Sequence, residues 1–177
     1  QAEDGIRDLV RSRGLGDVYK RQVLISEKAW RMEGSKMFIQ EGKKVSVLDL
    51  LKGVIIQSGN DASIALAEHI SGGEIAFADL MNQQAELLQM TNSEFKNSSG
   101  LPEEGMYSSA RDLSKIANAI IKDHPWSYKI YSEKYFQHNN INQPKQDENF
   151  FVDLSLIENL DKNFVIDEVK RHIFCSC

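Results

Sequence analysis

The chain has 177 residues, 41% hydrophobic and 27% charged, with a formal net charge of −5 at pH 7. This balance suits one globular domain with a real core. It lacks the basic footprint of a nucleic-acid binder and any apolar run long enough to span a membrane. The opening residues are charged and carry no apolar stretch of the kind that starts a secretory leader.

Residues 1–22, "QAEDGIRDLVRSRGLGDVYKRQ", show neither a helical nor a strand period. Asp17 to Gln22 back-translates as GAT GTG TAT AAG AGA CAG, which is similar to a transposase adapter used in DNA library preparation. We therefore read 1–22 as a non-native, adapter-derived segment and expect native protein from Val23. "VLISEKAWRM" opens with a short β-like piece. "SKMFIQEGKKVSV" predicts a strand, a turn at Glu41-Gly42 and a second strand. Ser46 is a natural N-cap for a helix over 47–56, with Leu50, Leu51, Val54 and Ile55 as its apolar residues. Asn60 or Asp61 caps the next helix, which runs to Ile70 and ends at Gly72-Gly73. A third helix over 74–90 spaces Ile75, Phe77, Ala78, Leu80, Met81, Leu87 and Leu88 along one side. Gly100, Pro102 and Gly105 mark a loop. Ser108 or Ser109 caps a fourth helix over 110–122, which Pro125 stops. "YKIYSEKYFQHNNI" predicts a short helix turning into a strand. The expected class is α+β, a mainly helical body with short flanking strands.

Between the apolar runs of the first two helices stands Ser58-Gly59-Asn60. Taken locally, this is a turn and a helix cap. The glycine also lets the backbone turn tightly, so that Ser58 and Asn60 reach one cleft. Other polar groups read as structural. His69 lies near a helix C-terminus, where a cation suits the dipole, and no second His or Cys stands at metal-ligand spacing. His124 and His138 are expected on the surface. Trp30, Trp126, Tyr128 and Tyr131 are expected as packing anchors. Arg111-Asp112 is expected to be local structure. The acid pairs Glu103-Glu104 and Asp147-Glu148 look solvated rather than catalytic. Cys175 and Cys177, at the extreme C-terminus, say little about redox compartment.

The run "GKKVSVLDLLKGVIIQSGNDASIALAEHISGGEIAFADLMN" resembles the serine D-alanyl-D-alanine carboxypeptidases, the low-molecular-weight penicillin-binding proteins. "SEFKNSSGLPEEGMYSSARDLSKIANAII" and "YKIYSEKYFQHNNINQ" continue the likeness, which covers about residues 23–146. The resemblance implies the helical part of a serine β-lactamase/DD-transpeptidase-like catalytic domain. It implies trimming of peptidoglycan stem peptides that end in D-Ala-D-Ala, inhibition by β-lactams, and neither a metal nor an organic cofactor. A nucleic-acid partner is not expected. It places the parent protein on the extracytoplasmic, periplasmic side of the cytoplasmic membrane, tethered only by parts outside this chain. A serine β-lactamase of the same fold and a non-catalytic helical binding domain are the alternatives.

Such enzymes share Ser-x-x-Lys, Ser-x-Asn and Lys-Thr-Gly. By resemblance, Ser58 is the proton relay and Asn60 the substrate clamp. The first motif is expected upstream of this chain. Ser93-Glu94-Phe95-Lys96 has its spelling but falls in a polar, turn-rich stretch, unlike the helix start that the chemistry needs. The third motif is absent as spelled. Asp167-Glu168-Val169-Lys170 approaches it, and Arg171 to Cys177, back-translated as CGG CAC ATA TTC TGC AGC TGC, gives Gly-Thr-Tyr-Ser-Ala-Ala one base out of frame. Lys170 is thus the expected substrate-binding remnant, and 147–177 reads as a divergent or frame-shifted segment. The fragment as written is expected to be inactive.

Overall fold

The computed structural model describes residues 19–145. The segments read as foreign, 1–22 and 147–177, lie outside them except for Tyr19 to Gln22. Tyr19 stacks on Trp126 with ring centroids 4.2 Å apart.

Strand β1 (Gln22–Leu24) pairs antiparallel with β2 (Lys44–Ser46), Val23 opposite Val45. The two-residue period buries both valines and turns Leu24 and Lys44 outward. Between the strands lies a helix that the sequence reading passed over, α1 (Glu27–Arg31), capped by Ser26, whose Oγ accepts from the Ala29 N–H at 3.0 Å. The strand expected over 36–40 joins no ladder. Its inward N–H groups, those of Met37 and Ile39, instead donate to the Asp61 carboxylate at 2.9 and 3.2 Å. The partner of 44–46 is therefore β1.

Ser46 ends β2 and caps α2 (Val47–Gln57), accepting from the Asp49 N–H at 3.0 Å. Helix α3 (Asn60–Ser71) ends at Gly72, whose φ of 79° is the left-handed closure that glycine adopts without strain. Helix α4 (Glu74–Leu87) stops a few residues before the expected end. Helix α5 (Ala110–Asp123) starts at Ser109, whose Oγ accepts from the Asp112 N–H at 3.2 Å. Pro125 does more than stop this helix. It takes the first turn of α6 (Pro125–Tyr128), where a missing N–H costs nothing. A 3₁₀ turn over Lys129–Ser132 leads to a hairpin of β3 (Tyr135–His138) and β4 (Ile141–Pro144). Asn139 and Asn140 form its two-residue turn, with φ of 50° and 61°, the geometry that matches strand twist.

The core forms where α2, α3, β1 and the hairpin meet, with Ile25, Met37, Leu50, Ile56 and Ile64 fully buried. Met37 fills the space over Gly53, where an added Cβ would stand 2.3 Å from its sulfur. Two expectations need correction. Trp30 and Trp126, expected as packing anchors, are 43% and 41% exposed. His138, expected on the surface, is half-buried, with its ring 6.2 Å from that of Phe136. On the amphipathic α5, Leu113, Ile116 and Ile120 are only half-buried, and Asp112 is the residue that is buried. Among the described residues no helix is long and apolar enough to cross a membrane.

Candidate active site

Helix α2 ends on Ser58, which adopts the left-handed conformation at φ 52°, ψ 36°. Its N–H and that of Gly59 both turn back to the Gly53 carbonyl, the latter at 3.0 Å. An L-residue in this conformation costs roughly 1–2 kcal/mol. The strained backbone leaves the Ser58 side chain exposed, and its hydroxyl makes no hydrogen bond among the described residues. It is therefore available as both donor and acceptor to a bound molecule.

The turn's conformational freedom, expected at Gly59, lies elsewhere. Gly59 has φ −68°, which any residue adopts. It is glycine for lack of room: a Cβ would lie 3.0 Å from Asp61 Oδ1 and 3.2 Å from both the Gly53 oxygen and the Met37 nitrogen. The residue with positive φ is Ser58.

Asn60 begins α3 and is 7% exposed. It does not cap the helix; the N-cap position belongs to Gly59, without a side-chain cap bond. The Asn60 N–H donates to the Ser35 carbonyl at 2.8 Å, and Nδ2 donates to the Glu33 carbonyl at 2.9 Å. Ser35 Oγ donates to the Gln57 carbonyl at 2.7 Å. Gly34, at φ 86°, passes so close that a Cβ there would stand 2.6 Å from Asn60 Nδ2. A strap of residues 33–39 thus grips the turn and sets the direction of the Asn60 amide. Beyond it, burial holds the His138 imidazole below its ordinary value, against the opposing pull of Asp49 and Asp61.

The Ser-x-x-Lys look-alike is dispersed. Ser93 Oγ contacts Ser108 Oγ at 2.8 Å and donates to Asp112 Oδ2 at 3.0 Å, while Lys96 pairs with Glu94 at 2.9 Å. No helix carries Ser93 and Lys96. Asp112 gathers this corner: Lys115 at 2.9 Å, together with the N–H of Asn92 and the Ser93 hydroxyl, holds its carboxyl below the usual range. Arg111-Asp112 is expected as local structure, and Asp112 fills that role. Among the described residues no cluster could hold a metal ion. Lys170 lies outside the described residues.

The profile of the D-alanyl-D-alanine carboxypeptidase family matches residues 17–161. The chain belongs to this family. It is 48% identical over 124 residues to the D-alanyl-D-alanine carboxypeptidase DacA of Haemophilus influenzae, a match covering 68% of this chain and 32% of that protein. It is 45% identical over 130 residues to DacC of Escherichia coli, covering 70% and 32%. The chain thus spans about a third of the length of these relatives. It superposes on penicillin binding protein 5 from Haemophilus influenzae with a TM-score of 0.72 at 43% identity, over 80% of this chain and 41% of that one. For penicillin binding protein 6B from Escherichia coli the TM-score is 0.73 at 35% identity, over 83% and 47%. The carboxypeptidase-family chain has the α+β fold of these proteins, as its sequence led us to expect.

Proposed function

We propose that the chain is the helical portion of a serine-type D-Ala-D-Ala carboxypeptidase that removes the terminal D-alanine from peptidoglycan stem peptides. The observation that carries this reading is the Ser58-Gly59-Asn60 turn, an exposed hydroxyl beside a gripped amide, lying within the family match. In this reading the nucleophilic serine and its lysine come from polypeptide outside the chain. The serine oxygen attacks the carbonyl of the penultimate D-alanine, and the peptide C–N bond breaks. Terminal D-alanine leaves once its nitrogen gains a proton, and water then hydrolyses the resulting ester. Ser58 passes the proton from the lysine to the leaving nitrogen, which suits its unengaged hydroxyl. Asn60 clamps the substrate amide. Lys170 is the remnant of the group that holds the terminal carboxylate. We read residues 23–146 as the native helical part, preceded by an adapter-derived 1–22 and followed by a divergent or frame-shifted 147–177, with Lys170 ahead of the slip. The working site is extracytoplasmic, and β-lactams acylate the same serine.

The test is labelling of the complete gene product that carries this segment by a fluorescent penicillin, with D-alanine release from a D-Ala-D-Ala peptide measured in parallel. Ser58→Ala should lower peptide turnover by about 10²-fold or more, the scale of a lost proton-transfer group. Unchanged turnover removes Ser58 from the mechanism. Fast penicillin hydrolysis with no peptide turnover points to a β-lactamase. A folded protein that never labels points to a non-catalytic helical binding domain.

A further inference from the structure

Asp61 is 1% exposed and has no place in the chemistry proposed above. Its carboxylate is nonetheless the anchor of the strap that grips Asn60. Oδ1 accepts from the Met37 N–H at 2.9 Å and from the Ala62 N–H at 2.9 Å, and Oδ2 accepts from the Ile39 N–H at 3.2 Å. The other edge of the strap is held by the hairpin: Gln143 Nε2 donates to the Met37 carbonyl at 3.0 Å, and Asn139 Nδ2 donates to the Phe38 carbonyl at 3.2 Å. Phe38 sits between these bonds at φ 64°, a conformation that a bulky residue keeps only when its surroundings impose it. The strap's other end supplies the two carbonyls, of Glu33 and Ser35, that receive Asn60.

We infer that Asp61 is a positioning residue: by pinning the N–H groups of Met37 and Ile39 it fixes the strap whose Glu33 and Ser35 carbonyls aim the Asn60 amide. The inference rests on the carboxypeptidase reading, in which Asn60 meets substrate. Three N–H donors converge on the two oxygens of one carboxylate. Asparagine offers one oxygen and one NH₂ group, so at least one backbone donor would face another donor. The strap must then shift at Met37 or at Ile39. A misplacement of about 1 Å in a positioning element lowers rates about 10²-fold.

The test is a double-mutant cycle in the complete gene product, read as the second-order rate of acylation by a fluorescent penicillin per folded molecule. Asp61→Asn should slow acylation about 10²-fold, on the misplacement scale above. In an Asn60→Ala background the same change should cost little more, because Asp61 acts through Asn60. A purely structural Asp61 gives lower thermal stability but a wild-type rate per folded molecule, or an effect that adds in full to Asn60→Ala. Either result overturns the inference while leaving the carboxypeptidase reading standing. Should Asp61→Asn not fold, Asp61→Glu carries the same cycle, since its extra methylene displaces the strap while keeping both acceptor oxygens. A folded wild type that penicillin never acylates overturns the carboxypeptidase reading and, with it, the role given to Asp61.

Discussion

Ser58 combines an exposed hydroxyl with a left-handed backbone, so the fold and the proposed chemistry make opposite demands on it. Replacing it by glycine relieves roughly 1–2 kcal/mol of conformational strain. Glycine's looser unfolded chain takes back about 0.5–1 kcal/mol. The net expectation is a fold that is unchanged or up to about 1.5 kcal/mol more stable. Ser58→Ala keeps the strain and removes only an exposed hydroxyl, so it should fall below the glycine variant by about 1 kcal/mol. In a domain of about 150–250 residues, that difference is about 2–4 °C in melting temperature. Both variants lose the hydroxyl, and both should lose turnover. The assay pairs thermal melting of the complete gene product and its two variants with D-alanine release. The expected signature is an inactive Ser58→Gly that melts at or above wild type. If Ser58→Gly melts below Ser58→Ala, Ser58 does not bear the strain and the geometric account of the turn fails.

Two further outcomes follow from the same geometry. Gly59→Ala should destabilise by about 1–3 kcal/mol, as overpacking does, because its Cβ meets Asp61 Oδ1, the Gly53 oxygen and the Met37 nitrogen within 3.2 Å; urea melts that match wild type would show that the turn has room to give. For His138, burial lowers the folded-state pKa below the unfolded value, so protonation favours unfolding. Its contribution is constant above the unfolded imidazole's range near about pH 6.5 and is lost as pH falls below it. His138→Gln should flatten that acid-side decline in a series of melts across this range, and an unaltered slope would assign the decline to other groups.

Much of the helical body was legible because its signals are local. Ser46 and Ser109 stand where their hydroxyls meet the N–H groups of Asp49 and Asp112, and Gly72 supplies the positive φ that closes α3. The family likeness likewise sits in contiguous runs. What escaped was non-local. Residues 36–40 look like a strand, yet the N–H groups of Met37 and Ile39 are taken by a carboxylate more than twenty positions away. Asp61 looks like a helix cap, the commonest use of an aspartate at that place, and nothing in its neighbours reveals the strap. The Asn139-Asn140 hairpin was signalled only by paired asparagines, which tolerate positive φ without the glycine that usually marks such turns. Gly59 was misread for a related reason: sequence shows that a glycine is present and not whether it serves torsion or space.

The proposed role of the Ser58-Gly59-Asn60 turn requires a site that is acylated by penicillin and releases D-alanine. The most direct measurement expresses the complete gene product carrying this segment, incubates it with a fluorescent penicillin and a D-Ala-D-Ala peptide in separate reactions, and repeats both with Asn60→Ala. The wild type should carry a stable covalent label and release D-alanine, with both rates sharply reduced in the variant. A folded wild-type protein that neither labels nor releases D-alanine contradicts the proposed role.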